Sequence, residues 1–423
     1  MRLSRLAVDT TPLRDSRDLR LLVVGNFLSG LGTQAALVAL PYQIYVETHS
    51  ALLTGLLGAV ELLPLVVLAL VGGALADRYD RRRLLLLDQV ALVAVAGLLA
   101  ASAFSGWSPV GVLYLLAGLL AGFGAVQNVL RQAIVPNLVA PERLRAALAL
   151  NFGLYQLTMV LGPALGGLLI GALGIGAAYT VDAVSCLAIV MAVWQMSPQP
   201  PQGEKHETVA VRRSIAEGLR FVVHNQALMG SFVIDLVAMT FGMPRALFAV
   251  LAVSVYGAGA AGTGLLYASV AAGATVAALT TGWLSHARRL GLIVIWAVLI
   301  WGGAIALAGL AGSLWIAAGL LAIAGAADSV SAVCRTTINQ TVTPDRMRGR
   351  MSSVFSLVVT SGPRLGDVEA GAAAALGGVR FSVVSGGLAC VAGVGLVIAA
   401  FPALLRYDAE RAPALEPSAA YGP

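Results

Sequence analysis

The sequence predicts an all-α membrane protein of twelve transmembrane helices, arranged as two pseudo-symmetric six-helix bundles, and three observations carry that expectation. The first is composition: 58% hydrophobic residues against 11% charged, over 423 residues, is too apolar for a soluble globule to cover its own surface. The second is length. The apolar residues come in runs of about 20, the number a helix needs to cross roughly 30 Å of hydrocarbon, where backbone polar groups must be satisfied within the segment. The third is duplication. Pro141-Glu-Arg-Leu-Arg145 ahead of the fifth run matches Pro344-Asp-Arg-Met-Arg348 ahead of the eleventh, and Gly162-Pro-Ala-Leu-Gly-Gly167 inside the fifth matches Gly362-Pro-Arg-Leu-Gly-Asp367 inside the eleventh.

Taken in order, residues 1–19 hold Arg2, Arg5, Arg14 and Arg17 and no apolar stretch ending in a small-residue cleavage site, so a cytoplasmic segment is expected rather than a cleaved leader. Six spans follow near 20–46, 53–76, 84–105, 110–131, 146–171 and 175–196, giving an N-terminal bundle over residues 20–196. Residues 197–225, with Pro198, Pro200, Pro201, Lys205, Arg212, Arg213 and Arg220, read as a cytoplasmic linker ending in an amphipathic helix. Six more spans near 226–256, 262–285, 290–310, 313–334, 351–375 and 381–405 give a C-terminal bundle over residues 226–405. Residues 406–423 are a cytoplasmic tail, expected to be disordered from Tyr407. Basic residues gather on alternate loops, which fixes the orientation with both termini in the cytoplasm. Arg78, Arg81, Arg82 and Arg83 follow the second span; Arg131, Arg143 and Arg145 the fourth; Arg288 and Arg289 the eighth; Arg335, Arg346, Arg348 and Arg350 the tenth. Of the 27 basic residues only Arg245, Arg364 and Arg380 fall elsewhere. Membrane orientation thus accounts for the net charge of +6 without nucleic acid as a partner. Cys186, Cys334 and Cys390 lie far apart in apolar segments and read as packing residues, so neither a metal site nor a cofactor is expected. No Gly-x-x-x-x-Gly-Lys-Ser/Thr loop offers ATP as a direct fuel.

The segment Gly73-Ala-Leu-Ala-Asp-Arg-Tyr-Asp-Arg-Arg-Arg83, between spans two and three, is similar to the Gly-x-Leu-x-Asp-Arg-x-Gly-Arg-Arg loop of the major facilitator superfamily. With the duplication, essentially the whole chain resembles that superfamily. The resemblance implies two bundles that rock about a solute path at their interface, and a gating motif made of Gly73, Asp77, Arg78, Arg81 and Arg82. Within it, Asp77 is held against the start of the eleventh helix, near Arg348 to Met351, when the cytoplasmic side is closed. An anion at a helix C-terminus is disfavoured by ~0.3–1 kcal/mol, so Asp77 needs such a partner. The arginines can also bind lipid phosphates, and a plain anchoring loop is the alternative. Asp80 replaces the second Gly of the motif. The equivalent loop of the second half, Gly282-Trp-Leu-Ser-His-Ala-Arg-Arg289, lacks the Asp, so the two inner gates are expected to differ in strength.

Gly162, Pro163, Gly166 and Gly167 resemble the motif of exporting antiporters; Pro bends a helix and Gly lets backbones approach closely. The Ala-Asp-Arg-Tyr loop and the turn Pro344-Asp-Arg-Met-Arg-Gly-Arg350 resemble the branch that includes the enterobactin exporter and drug effluxers. One departure is Gly118, which stands where many drug/proton antiporters of the superfamily carry a fourth-span Arg.

An ionisable group at mid-bilayer costs ~2.5–3.5 kcal/mol or more, so each needs a partner, a water cavity or a task. The acids on the expected spans are Glu61, Asp182, Asp235, Asp328, Asp367 and Glu369; the bases are Arg245 and Arg364. Asp235, about nine residues into its span and so roughly 13 Å deep, is the first candidate for a proton site, a permanently paired structural Asp being the alternative. Arg364 and Asp367 stand where span five has Ala164 and Gly167. At i and i+3 they can pair with each other, and Arg245 lies at similar depth; a substrate-anion site, a proton-sensitive latch, an extracellular gate and a static salt bridge all fit. Glu61 and Asp328 fit the same cavity, whereas Asp182 is expected to be structural. Asn26, Gln34, Gln127, Asn128 and Gln156 are cavity polar groups or helix-to-helix hydrogen bonds.

The expected function is proton-driven export of a small amphipathic molecule, such as a siderophore or a drug, by a monomer in the cytoplasmic membrane. Its partners are then the solute, protons and the lipid bilayer. Proton-coupled uptake is the first alternative, disfavoured by the Gly162-Pro163 signature. A membrane-embedded sensor or enzyme is the second, and no nucleophile or metal cluster in the sequence supports it.

Overall fold

In the computed structural model, residues 11–200, 211–344 and 347–408 are described. The apolar runs close into helices. After the short α1 (Thr11–Asp15) come α2 (Arg17–Thr48), α3 (Ala51–Ala76), α4 (Arg81–Ser105), α5 (Val110–Ile134), α6 (Leu144–Leu173) and α7 (Ile175–Trp194). The linker contributes α8 (Val211–His224). The second half holds α9 (Gln226–Phe241), α10 (Leu247–Val250), α11 (Gly259–Thr280), α12 (Leu290–Leu310), α13 (Leu314–Val342), α14 (Arg348–Gly377), α15 (Val379–Ala400) and α16 (Pro402–Leu405). Twelve of these span: α2 to α7, α9, and α11 to α15. Ten are long and apolar enough by themselves. The other two, α9 and α14, depart for physical reasons. At 30 residues α14 has the length of its symmetry mate α6, but Arg364, Asp367 and Glu369 lower its hydropathy.

The seventh span, expected as one helix over 226–256, is broken. α9 stops at Phe241, and the chain resumes in α10 and a π-helical turn over Leu251–Val255 only after Gly242, Met243, Pro244 and Arg245. Proline supplies no N–H and cannot continue the ladder. The backbone groups freed at the break are met from three other helices. Trp301 Nε1 donates to the Gly242 carbonyl (2.8 Å), the Tyr267 hydroxyl donates to the Arg245 carbonyl (2.8 Å), and the Ala246 N–H donates to Asp367 Oδ1 (2.9 Å). Irregular backbone at membrane depth is tolerated only when buried in protein and satisfied in this way.

The C-terminal part of α8 meets α9 at 105°, so it lies across the bundle rather than along it. Residues 1–10, 201–210, Asp345, Arg346 and 409–423 lie outside the described residues, and with them parts of the expected linker, tail and second-half motif. The expected disorder of the tail does not begin at Tyr407. That side chain is buried in the second-half core, and its hydroxyl shares a hydrogen bond with Thr341 Oγ1 at 2.5 Å.

In the first bundle α2 packs on α6 and α7, α3 on α5, and α4 on α7; in the second, α12 packs on α13 and α15, and α9 on α14 and α15. The halves meet along two seams, α3 with α14 and α6 with α11. Each seam is a backbone contact. A Cβ on Gly55 would lie 2.7 Å from the Gly371 Cα, and one on Gly264 would lie 2.9 Å from the Gly167 Cα, closer than packed side chains ever come. All four glycines sit on the halves of their helices remote from the basic loops. The molecule is therefore shut at the end opposite its basic face.

Candidate functional site

Below the closed seams, a cavity of about 820 Å³ separates the halves, within the size range of small-molecule sites. It reaches toward the basic face, because its wall includes Arg131 in the last turn of α5, Asn151 in the early turns of α6, and Leu357 of α14. Asn26, Gln34, Gln127 and Asn128 all line it, and Gln34 Nε2 also lies 3.1 Å from Met159 Sδ. Gln156 is off the wall. The two faces of the cavity differ in chemistry. The first half supplies most of its amides, while α14 supplies Leu357, Val359, Thr360 and Pro363 below Arg364.

At the closed end four charged groups converge. Arg364 does not pair with Asp367 along its own helix; its Nε lies 3.7 Å from Glu61 Oε2 across the seam, and its Nη1 donates to the Thr360 carbonyl at 3.1 Å. Asp367 takes Arg245 instead, with Nη2 to Oδ2 at 3.7 Å, besides accepting from the Ala246 N–H. The rearranged pairing follows from packing. A Cβ on Gly58 would sit 2.9 Å from the Asp367 Cβ, so α3 approaches α14 closely enough to deliver Glu61. The antiporter-like motif divides along similar lines. Gly162 and Gly166 let α6 close on Gln34 and Ala35 of α2, whereas Gly167, the mate of Asp367, faces the other half.

A second cluster lies wholly inside the second half. Arg335, expected in the loop after the tenth span, sits about two turns before the end of α13 and is 3% exposed. Its Nη1 contacts Asp235 Oδ1, and its Nη2 lies 3.6 Å from Asp328 Oδ1. None of the three is among the residues lining the cavity. Arg245 and Arg364 are therefore not the only bases within the helices: Arg335 joins them, as does Arg131 on the cavity wall. The polar run from Thr336 to Thr341 lowers hydropathy without ending the helix, which hid Arg335 from the sequence reading. Asp88 was also missed, although it falls inside the expected third span. It is 6% exposed on α4, and neither carboxylate oxygen has a hydrogen-bond partner among the described residues. Asp182 is buried between α7 and α2, where the Thr33 hydroxyl donates to its Oδ1 at 3.1 Å.

The motif loop between α3 and α4 does its visible work inside the first half. Helix C-termini leave carbonyls unpaired and attract cations. Arg81 donates to the Ala76 carbonyl of α3 (3.3 Å) and the Ala133 carbonyl of α5 (2.9 Å), while Arg82 donates to Val193 (2.9 Å) and Trp194 of α7. Asp80 caps α4 by accepting from the Arg83 N–H (3.0 Å) and also accepts from the Gln199 N–H (2.9 Å) at the start of the linker. Arg78 is exposed and Gly73 is only in loose contact with Val129. Asp77 is exposed too, with no ion pair among the described residues.

The family model of the Major Facilitator Superfamily matches residues 22–366. Enterobactin exporter EntS of Salmonella typhi is 31% identical over 386 residues, which is 90% of this chain and 89% of that protein. The protein of the same name from Shigella boydii serotype 4 is 31% identical over 384 residues, with the same coverage. Among solved structures, a bacterial homologue of the human lysosomal transporter Spinster, inward-facing and unoccupied, superposes with a TM-score of 0.70 at 16% identity, covering 96% of this chain and 98% of that one. A POT family transporter in complex with 5-aminolevulinic acid gives 0.72 at 11% identity, covering 92% and 97%. The solved structures bear on the fold alone. Together with the duplicated bundles and the central cavity, the family match and the relatives place this multi-pass membrane protein: it is a transporter, not an enzyme, and it belongs to the Major Facilitator Superfamily.

Proposed function

We propose that the chain exports a small amphipathic organic molecule, of the siderophore or drug class, across the cytoplasmic membrane by proton-coupled alternating access. The observation that carries this reading is the cavity of about 820 Å³ that reaches toward the basic face and is sealed at the other end by backbone contact across both seams. The basic loops support a cytoplasmic position for that face and for both termini, which would let the cavity load from inside. The relatives' name supports export and a siderophore cargo, and the Gly162-Pro163 motif in α6 supports the same direction. One copy of the chain holds the cavity and both seams, which supports a monomer as the working unit.

Protons are the proposed driving ion, with the two charged clusters as the groups that handle them. Glu61 and Asp367 face Arg364 and Arg245 in a balanced set at the seam. Asp235 and Asp328 share the single guanidinium of Arg335, so that cluster holds one carboxylate in excess and has room for a proton without losing its ion pair. The seventh span joins the two, because Asp235 lies on α9 and Arg245 lies in the break that follows it. The deciding measurement is solute movement in inverted membrane vesicles with and without an imposed pH gradient. Accumulation inside inverted vesicles that collapses with the gradient is expected. Depletion from the lumen would reverse the direction, and gradient-independent movement would remove the proton.

A further inference from the structure

Three arginines line the cavity, and two of them are neutralised: Arg364 by Glu61 and Arg245 by Asp367. The third is not. Arg131 has no carboxylate and no hydrogen-bond acceptor among the described residues; its guanidinium carbon lies 5.8 Å from the centroid of the Tyr155 ring. That ring is 41% exposed and itself lines the cavity, so the cation and the aromatic face present one surface to whatever enters. The last-turn position on α5 offers Arg131 the negative end of a helix dipole, which softens the cost of an uncompensated charge without removing it.

The surroundings carry unspent hydrogen-bonding capacity. Gln127 and Asn128, one turn earlier, lie on the same face of α5 and line the cavity. On α2, Asn26 is 7% exposed and lines the cavity, and neither its amide nitrogen nor its oxygen has a partner among the described residues. Asn128 Oδ1 accepts from Gln132 Nε2 at 3.3 Å, which leaves its amide N–H groups to donate. A planar five-donor fork beside an aromatic shelf and such amide donors recognises a planar oxyanion better than any neutral group. A bound anion is the counter-charge that the protein itself does not supply.

We propose that Arg131, shelved on Tyr155 and flanked by Asn128, is an anion subsite that holds a carboxylate, sulfonate or phenolate oxygen of the cargo. The apolar body of the same molecule then reaches past it to Leu37, Leu40, Ala117 and Leu120, nearer the closed end. The cargo is accordingly an amphipathic aromatic acid, oriented with its charge toward the basic face. This rests on the reading of the cavity as the cargo path, which the test keeps separate.

Two fluorescent probes with one skeleton provide the test: 1-anilinonaphthalene-8-sulfonate, which is anionic, and N-phenyl-1-naphthylamine, which lacks the sulfonate. Binding is measured to the full chain in phosphatidylcholine nanodiscs, with empty discs subtracted. The wild type is expected to prefer the sulfonate. Arg131→Gln should weaken it at least tenfold and leave the neutral probe unchanged, with Arg131→Lys falling between. Equal wild-type affinities, no binding of either probe, or an equal loss of both in Arg131→Gln while the protein still elutes as a single monodisperse species would overturn the subsite. Loss of the sulfonate preference in discs that also contain phosphatidylglycerol would overturn it too, by assigning Arg131 to lipid headgroups. If proteoliposomes export neither probe while the binding difference holds, the export reading falls and the subsite stands. If both probes are exported and Arg131→Gln changes neither affinity, the subsite falls and export stands.

Discussion

Two charged clusters that share only the seventh span are built to opposite specifications. The pairs at the closed seam, Arg364 with Glu61 and Arg245 with Asp367, sit at 3.7 Å, and three of their four side chains are between 19% and 25% exposed. Arg335 and Asp235 are in direct contact and only 3% and 2% exposed. The first cluster includes a bond between the halves, which must part whenever the closed end opens. The second lies within one half and travels with it. Long, partly hydrated pairs cost little to break because water replaces the partner, whereas a dry pair leaves an uncompensated charge behind. The protein thus keeps the pair across the seam partly wet and the Arg335–Asp235 pair within one half dry.

The contrast is broken most severely at Arg335. Arg335→Ala leaves the buried carboxylate of Asp235 without its cation, and Asp328, about a quarter exposed, without its partner; it should cost ~3–5 kcal/mol, read as a large fall in the thermal midpoint of the detergent-solubilised protein. Arg335→Lys should recover only part of this, because one ammonium cannot fork between Asp235 and Asp328. A wild-type melting curve for the Ala variant would show that the second half does not depend on this cluster.

The seam itself comes next. Gly55→Leu drives a side chain into the backbone of α14, and overpacking of ~1–3 kcal/mol acts on the closed-seam state alone. The population should move about fivefold or more toward the state open at the opposite end, as measured by spin-label distances between cysteines placed on the outer ends of α3 and α14. Cys186, Cys334 and Cys390 are buried and free, so they contribute little background labelling. Distances identical to wild type would mean that the glycine contact does not set the conformation.

The smallest effect is expected at Glu61. Glu61→Gln removes the ion pair across the seam and should shift the same distances in the same direction by about 1 kcal/mol or less, with no measurable change in thermal midpoint. A destabilisation as large as that of Arg335→Ala would erase the distinction between the two clusters.

Much of the architecture was legible because it is written twice. The match of residues 162–167 to 362–367 identified α6 and α14 as mates, even though the charges on α14 hide it from a hydropathy count. The break in the seventh span was half legible. Pro244 signals it, but the chain can stop there only because Trp301, Tyr267 and Asp367 arrive from elsewhere to cover the exposed backbone, and a linear sequence does not reveal which side chains will. The cavity amides were readable as polar groups kept in apolar spans. Partner choice was not, since helix spacing offers Asp367 to Arg364 while packing delivers Glu61. Arg131 and Arg335 were misplaced for a common reason. A basic residue near the end of an apolar run satisfies the charge bias of a cytoplasmic loop, and a long side chain inside the last two turns of a helix satisfies the same count.

Asp80, standing where the superfamily's loop carries Gly, has a mechanical consequence. It holds Gln199 against the first half, together with the Arg81 N–H that donates to the Gln199 carbonyl (3.0 Å), and about a dozen residues, whose fully extended reach is roughly 40 Å, separate that point from α8. That contour length is a stop on the travel of the two halves at the basic face, an upper limit on the aperture independent of anything the cargo does.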